Sequence, residues 1–341
     1  MKKGVTIVDI ANKLNMSAST VSKALRDDPT ISEITRARVK ALAKEWNYIP
    51  NQAARNFQQN KSYTLGIVIP DLLDQFYVLA INGIEEVAVQ NNYNVIICQS
   101  YDHAEREQGI LNHLISSRVD GIIIVVSKDT KDPEIFETLE RQGIPIIFLS
   151  RSIQHPTFSW ISCDHDGGAS KAVAFLLERG HRRIAHLTGP TSLLTSHLRH
   201  AGYKKALEQH GLTYDPELVK PTDFSFDNTT AAVKELLRND DPPTAFFVFK
   251  SYVGLDILRF LRDAHPKKAK KTAIIGFGNL PLIKQLENKP TASLDENSKV
   301  MGVKAAELLF EKIKDTDTDH VSSPRNIIVP CDLIIHDVAN P

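Results

Sequence analysis

The sequence predicts an α/β protein in which a small all-α module at residues 1–50 precedes a long body of two lobes, each a doubly wound parallel sheet. Three observations lead there. Residues 5–46 carry apolar side chains at helical spacing, broken twice by turn residues. From residue 63 short aliphatic runs alternate with amphipathic stretches, the pattern of strands buried on both faces between helices. The charge is divided as well: residues 1–62 hold eleven Lys/Arg against five acids, net +6, and the other 30 basic and 36 acidic residues leave the remainder at −6.

The first helix starts at Thr6, whose pairing with Asp9 makes a capping box, and Ile7, Ile10, Ala11 and Leu14 form its apolar face. A turn at Asn15–Met16 leads to Ser17, a good N-cap, and to a second helix with Val21, Ala24 and Leu25 inward. Pro29 breaks the pattern within Asp27–Ile31. Ser32 caps a third helix, which buries Val39, Leu42, Ala43 and Trp46 and ends before Pro50. Two short helices joined by a tight turn and followed by a third describe a helix-turn-helix unit. Its second helix would lie in the major groove, bringing Ala18, Ser19, Thr20, Ser22 and Lys23 to the base edges. Lys23 can donate to guanine, the hydroxyls can pair with several edges, and Ala18 can meet a thymine methyl. A basic end on an acidic body fits the same use, because phosphate attracts it. An ordinary three-helix bundle would give the same periodicity without touching DNA.

In the body, aliphatic runs fall at Thr64–Asp71, Asn94–Cys98, Gly121–Ser127, Pro145–Ser150, Trp160–Asp164, Arg183–Gly189, Ala245–Phe249 and Thr272–Phe277. Helix-like stretches alternate with them at Gln75–Gln90, Glu105–Ser116, Gly167–Arg179, Leu198–His210, Thr229–Leu237 and Lys299–Lys314. That is more than one sheet holds, so two lobes are expected, with a ligand cleft at the carboxyl ends of the strands between them.

Other classes are disfavoured. The first 25 residues carry charges throughout and no apolar core, and the longest aliphatic run, Ile122–Val126, is too short to span a bilayer, so a cytoplasmic protein is expected. Cys98, Cys163 and Cys331 are odd in number and widely spaced, which suggests reduced thiols. No GxSxG, GxxxxGKS/T, HExxH or GxGxxG motif supports an enzyme. Cys163 and His165 share a side near a strand end, and His197 and His200 lie one turn apart. Neither pair has a further ligand in view, so no metal and no cofactor is expected. A free sugar-binding transport protein would leave the basic module unexplained.

The run TIVDIANKLNMSASTVSKALRDDPTISEITRARVKALAKEWNYIPNQAARN resembles the headpiece of the lactose/galactose-repressor family almost position by position. TLGIVIPD, GIIIV, ERGHRRIAHLTGP, LRHAGYKKAL, AIIGFGN and MGVKAAELL match the family's landmarks in order through the rest of the chain. The resemblance implies a transcription regulator of carbohydrate metabolism, a repressor by expectation, that binds a near-palindromic double-stranded DNA operator as a homodimer. It implies a headpiece at 1–50, a hinge helix at 51–62, and a body at 63–341 built like periplasmic sugar-binding proteins. The N-lobe is expected at about 63–162 plus 294–324, the C-lobe at about 163–293 plus 325–341. Thr6 and Ser17 join the DNA-contact set, as do Asn51, Arg55 and Phe57 in the hinge. Phe57 stands where the family wedges a leucine into the minor groove, a role phenylalanine can fill.

By the same resemblance an effector meets Asp71, Phe76, Ser127, Arg151, Arg199, Phe224, Lys250 and Asn279. Three positions depart from the family. Lys250-Ser251 replaces an Asn-Asp pair, Gly278 replaces an acid after GF, and Ser150 replaces the common acid before Arg151. The pocket would thus lose acids and gain a cation. Two readings follow: Lys250 and Arg199 clamp an acidic sugar derivative, or Lys250 faces solvent and the sugar is neutral.

Overall fold

Thr6 begins the chain's first helix by the chemistry expected of it. Its backbone N–H donates to Asp9 Oδ2 at 2.8 Å, and Asp9 N–H donates back to Thr6 Oγ1 at 3.3 Å. Helix α1 (Ile7–Leu14) closes at Asn15, whose φ of 51° is the left-handed turn that asparagine tolerates. Ser17 accepts from Thr20 N–H at 3.1 Å and starts α2 (Ala18–Leu25). Ser32 does the same for α3 (Glu33–Glu45) through Thr35. Ile10, Ala11, Val21, Ala24, Val39, Leu42 and Ala43 form the buried centre of the three.

The computed structural model describes residues 5–48, 61–153, 155–316 and 323–336. It divides into two units, Met1–Ser62 and Tyr63–Pro341. The predicted hinge residues Asn51, Arg55 and Phe57 lie outside the described residues.

The body's first lobe runs β1 (Thr64–Ile69), α4 (Gln75–Gln90), β2 (Asn94–Gln99), α5 (Ala104–Ser116), β3 (Gly121–Ile124), α6 (Glu134–Arg141), β4 (Ile146–Leu149) and β5 (Ser159–Cys163). The second runs α7 (His165–Glu178), β6 (Ile184–Thr188), α8 (Leu194–Gln209), β7 (Val219–Pro221), α9 (Phe226–Leu236), β8 (Ala245–Val248), α10 (Ser251–Ala264), α11 (Pro266–Ala269), β9 (Ala273–Phe277) and β10 (Ala292–Asp295). The chain then returns through α12 (Ser298–Thr316) and β11 (Asn326–Val329) before β12 (Asp332–Ile335). The first sheet has the order β11-β5-β4-β3-β1-β2 and is parallel throughout. The second has the order β12-β10-β9-β8-β6-β7. Its edge strand β12 is antiparallel to β10, an exception to the all-parallel expectation.

Each sheet is covered by a close helix pair: α4 with α12, and α7 with α8. Both contacts depend on a missing side chain. A Cβ on Gly302 would stand 2.0 Å from Ala80 O, and one on Gly202 would stand 2.2 Å from Asp166 O.

The lobe boundaries differ from expectation in two places. Strand β10 pairs with β9, so residues 294–295 belong to the second lobe. Strand β11 pairs with β5, with Val329 opposite Cys163, so the last crossing falls after Val329 rather than at 324–325. Pairing across a sheet edge overrides sequence proximity there. Among the described residues no helix is long and apolar enough to cross a membrane.

Candidate functional site

On α2 Ser19 and Lys23 stand exposed one turn apart, with Ala18, Thr20 and Ser22 half-buried beside them. Several of the predicted hydroxyls already have local partners. Thr6 Oγ1 donates to Asp9 at 2.7 Å, the Ser17 and Thr20 hydroxyls pair at 2.8 Å, and Ser22 Oγ accepts from Arg26 Nη2 at 2.9 Å. Thr6 and Ser17 therefore shape helix starts, and Ser19 and Lys23 are the side chains of α2 that reach outward.

Between the two lobes of the body lies a cleft of about 650 Å³, lined by residues from strand ends of both. The turn after β1 supplies Asp71 and Asp74; Asp74 caps α4 by accepting from Phe76 N–H at 3.1 Å. The end of β8 supplies Phe249 and Lys250, and α10 adds Tyr252. Aromatic faces are present: Phe224 packs on Phe249 at 5.1 Å between centroids, and buried Phe76 meets Tyr77 edge-on at 5.2 Å. Phe224 holds a φ of 73°, a left-handed conformation unusual for a bulky residue, which sets its ring at the cleft wall.

Three of the lining cations face an acid. Arg151 Nη1 donates to Asp102 at 2.7 Å. Arg199 Nη2 donates to Glu296 at 2.9 Å, while its other nitrogens donate to the Phe249 carbonyl and, at 3.3 Å, to His165 Nδ1. Its guanidinium lies 3.7 Å above the Phe277 ring. Lys250 Nζ is 3.7 Å from Asp74 Oδ2 and 4.6 Å from the Phe224 ring. The Asp223 carboxyl is held below its usual range, first by hydrogen bonds from Ser225 and then by Lys128. Burial pushes the Glu296 carboxyl up, and the Arg199 guanidinium pulls against it.

The structure brings Asp71, Phe76, Arg151, Arg199, Phe224 and Lys250 to this cleft. It does not bring Ser127 or Asn279 to its lining. Ser127 is buried; its hydroxyl and its N–H both donate to Glu107, at 2.8 and 2.6 Å. Asn279 turns its amide to Asp295 at 2.9 Å. Four acids at other positions, Asp74, Asp102, Asp223 and Glu296, also line the cleft and were missed. Asp74 had a visible signal, an acid just before a helix at the end of the first strand. Partnerships such as Arg199–Glu296, 97 residues apart, had none.

Two family profiles match the chain. Residues 6–51 match bacterial regulatory proteins of the lacI family. Residues 62–337 match the periplasmic binding proteins and sugar binding domain of the LacI family. The HTH-type transcriptional repressor CytR of Escherichia coli (strain K12) is 30% identical over 330 residues, covering 97% of this chain and 95% of the relative. A crystal structure of the lac repressor dimer bound to operator and the anti-inducer ONPF superposes with a TM-score of 0.82 at 24% identity, covering 97% of this chain and 98% of that one. The complex of transcriptional regulator CelR with cellobiose gives 0.71 at 24% identity, with the same coverage.

Proposed function

Since the chain belongs to the LacI family of bacterial regulatory proteins, we propose that it is a repressor, not an enzyme, that reads its operator through α2 and responds to a neutral sugar in the interlobe cleft. The observation that carries the choice of effector is the pairing of Arg151, Arg199 and Lys250 with Asp102, Glu296 and Asp74. An anionic ligand would meet the repulsion of these carboxylates beside each cation. Sugar hydroxyls donate and accept, so they can insert between such pairs, and the faces of Phe224 and Phe249 suit the apolar side of a pyranose ring. The acidic-sugar reading is accordingly set aside in favour of the neutral one. Cellobiose in the CelR complex is a ligand of the class proposed.

The regulator acts as a cytoplasmic homodimer on a near-palindromic site, because two copies of α2 read two half-sites. Ile96 and Ile97, exposed on edge strand β2, support a dimer face on the first lobe. Closure of the cleft shifts that face, and Phe57 and Arg55 in the hinge gain or lose their minor-groove fit.

The test is thermal unfolding of the full chain with a panel of neutral sugars, uronic acids and sugar phosphates. A ligand at a hundred-fold excess over its Kd stabilises by about 2.7 kcal/mol. A shift confined to neutral sugars is expected; a shift confined to acidic ones would overturn this choice.

A further inference from the structure

The chain passes between the lobes three times: from β5 into α7, from β10 into α12, and from β11 into β12. The passages bring metal-binding side chains to a common buried point, two on the first and one on each of the others. Cys163 ends β5, Glu296 follows β10, and Cys331 lies between β11 and β12, with His165 opening α7 beside them. Cys163 Sγ is 3.2 Å from His165 Nδ1 and 3.6 Å from Glu296 Oε1. The ligand atoms of these three lie within 4.8 Å of one another, and the Cys331 thiol stands next to Cys163.

We infer that Cys163, His165 and Glu296, with Cys331 as fourth donor, form a site for a zinc-type divalent cation at the hinge. Bond lengths of about 2.3 Å to sulfur and about 2.1 Å to nitrogen or oxygen put tetrahedral ligand atoms roughly 3.5 Å apart, near the 3.2 and 3.6 Å from Cys163 Sγ to His165 and Glu296; Cys331 lies outside the three-residue cluster and would close in on the cation. The histidine is set for it. Arg199 Nε can only donate, so His165 Nδ1 accepts at 3.3 Å, and the ring proton sits on Nε2 facing Ser162 Oγ at 3.1 Å. A cation would take the single Nδ1 lone pair that Arg199 Nε now holds, leaving the guanidinium its bonds to Glu296 and the Phe249 carbonyl, while Ser162 orients the ring through Nε2, as the partners of metal-bound histidines do.

Charge balance favours both thiols taking part. At present the Arg199 guanidinium offsets the Glu296 carboxylate. A divalent cation adds two positive charges, and loss of the Cys163 and Cys331 protons to solvent adds two negative ones, so the net charge of the buried point is unchanged. Access exists through a second cavity of about 470 Å³ lined by Cys163 and His165. The sequence hid the site because Glu296 lies 133 residues from Cys163. A bound cation would tie all three crossovers together and limit how far the lobes can rotate.

The test uses the reduced, metal-free full chain dialysed against Zn²⁺, and against Co²⁺ as a coloured probe. One zinc per chain surviving gel filtration and a raised melting temperature are expected, together with thiolate-to-cobalt charge-transfer absorption. Cys163→Ser should remove that absorption and weaken zinc binding by more than the ~10–100-fold that losing a merely orienting partner costs. Should that variant fail to fold, X-ray absorption of the zinc-loaded wild type gives an independent reading, with sulfur expected next to the metal. Sub-stoichiometric zinc in the wild type, a nitrogen and oxygen environment alone, or a cobalt spectrum indifferent to Cys163→Ser would overturn the assignment.

Discussion

The ammonium of Lys250, on the second lobe, stands 3.7 Å from the carboxylate of Asp74, on the first. Beside it the Tyr252 hydroxyl accepts from Gln75 N–H at 3.2 Å and donates to Leu73 O at 3.1 Å. Lys250, which the sequence left open as an anion clamp or a solvent-facing residue, thus stands among contacts that join the two lobes. Its charge is answered by the protein itself.

Lys250→Met separates the two roles. The pair is partly exposed, so its loss should change sugar affinity by less than about tenfold, and equally for neutral and acidic ligands. Isothermal calorimetry with both ligand classes checks this. A selective loss for acidic sugars would restore the clamp.

Arg199 is predicted to matter to the fold as much as to the ligand. Arg199→Met leaves Glu296 buried without its cation, and breaking such a pair costs about 3–5 kcal/mol. Urea unfolding of the variant should show a clearly lowered midpoint. An unchanged midpoint would mean that Arg199 serves the ligand alone.

Acid should unfold the body partly through His186. Burial pushes its pKa down to about 3, well below its ordinary 6.5, and the ring stacks on Phe247 and Tyr203. Below about pH 6.5 the unfolded chain takes up a proton that the folded ring refuses. Stability is thus full above that value and falls toward pH 3, by up to about 1.4 kcal/mol per pH unit. Replacing the ring by His186→Leu should flatten the profile between pH 6 and pH 4. Parallel profiles for wild type and variant would contradict the assignment.

In the headpiece, two substitutions should fail in different ways. Ser17→Ala removes an N-cap and should lower headpiece stability by about 1 kcal/mol. Lys23→Ala should leave melting unchanged and weaken operator binding, by about 1–3 kcal/mol where the lysine reads guanine. Melting curves and fluorescence anisotropy on one duplex decide between them. If Lys23→Ala lowered the melting point as much as Ser17→Ala, a reading role would be lost.

Local signals made much of the fold legible. The Thr6–Asp9 capping box, Ser17 and Ser32 act within a turn of themselves, and strands such as Ile122–Ile124 are buried on both faces and apolar throughout. Short, half-exposed strands were not legible: β7 and β11 owe their existence to neighbours far along the chain. Helix α10 was missed although its apolar face is regular, because Lys250 and Ser251 drew attention as pocket residues rather than as a helix start. The cleft divided the same way. Cleft positions such as Asp71 and Phe224 were placed by the family resemblance. The ion pairs that set its electrostatics join residues brought together only by the two-lobed fold.

The central claim is that occupancy of the cleft changes affinity for DNA. Its most direct test is fluorescence anisotropy of the full-length protein on a duplex selected by it from a random pool, with and without the sugar that raises its melting temperature. The account predicts that saturating sugar changes the operator Kd by about 5–150-fold, the usual range of allosteric coupling. An identical Kd at sugar concentrations that demonstrably fill the cleft would contradict it.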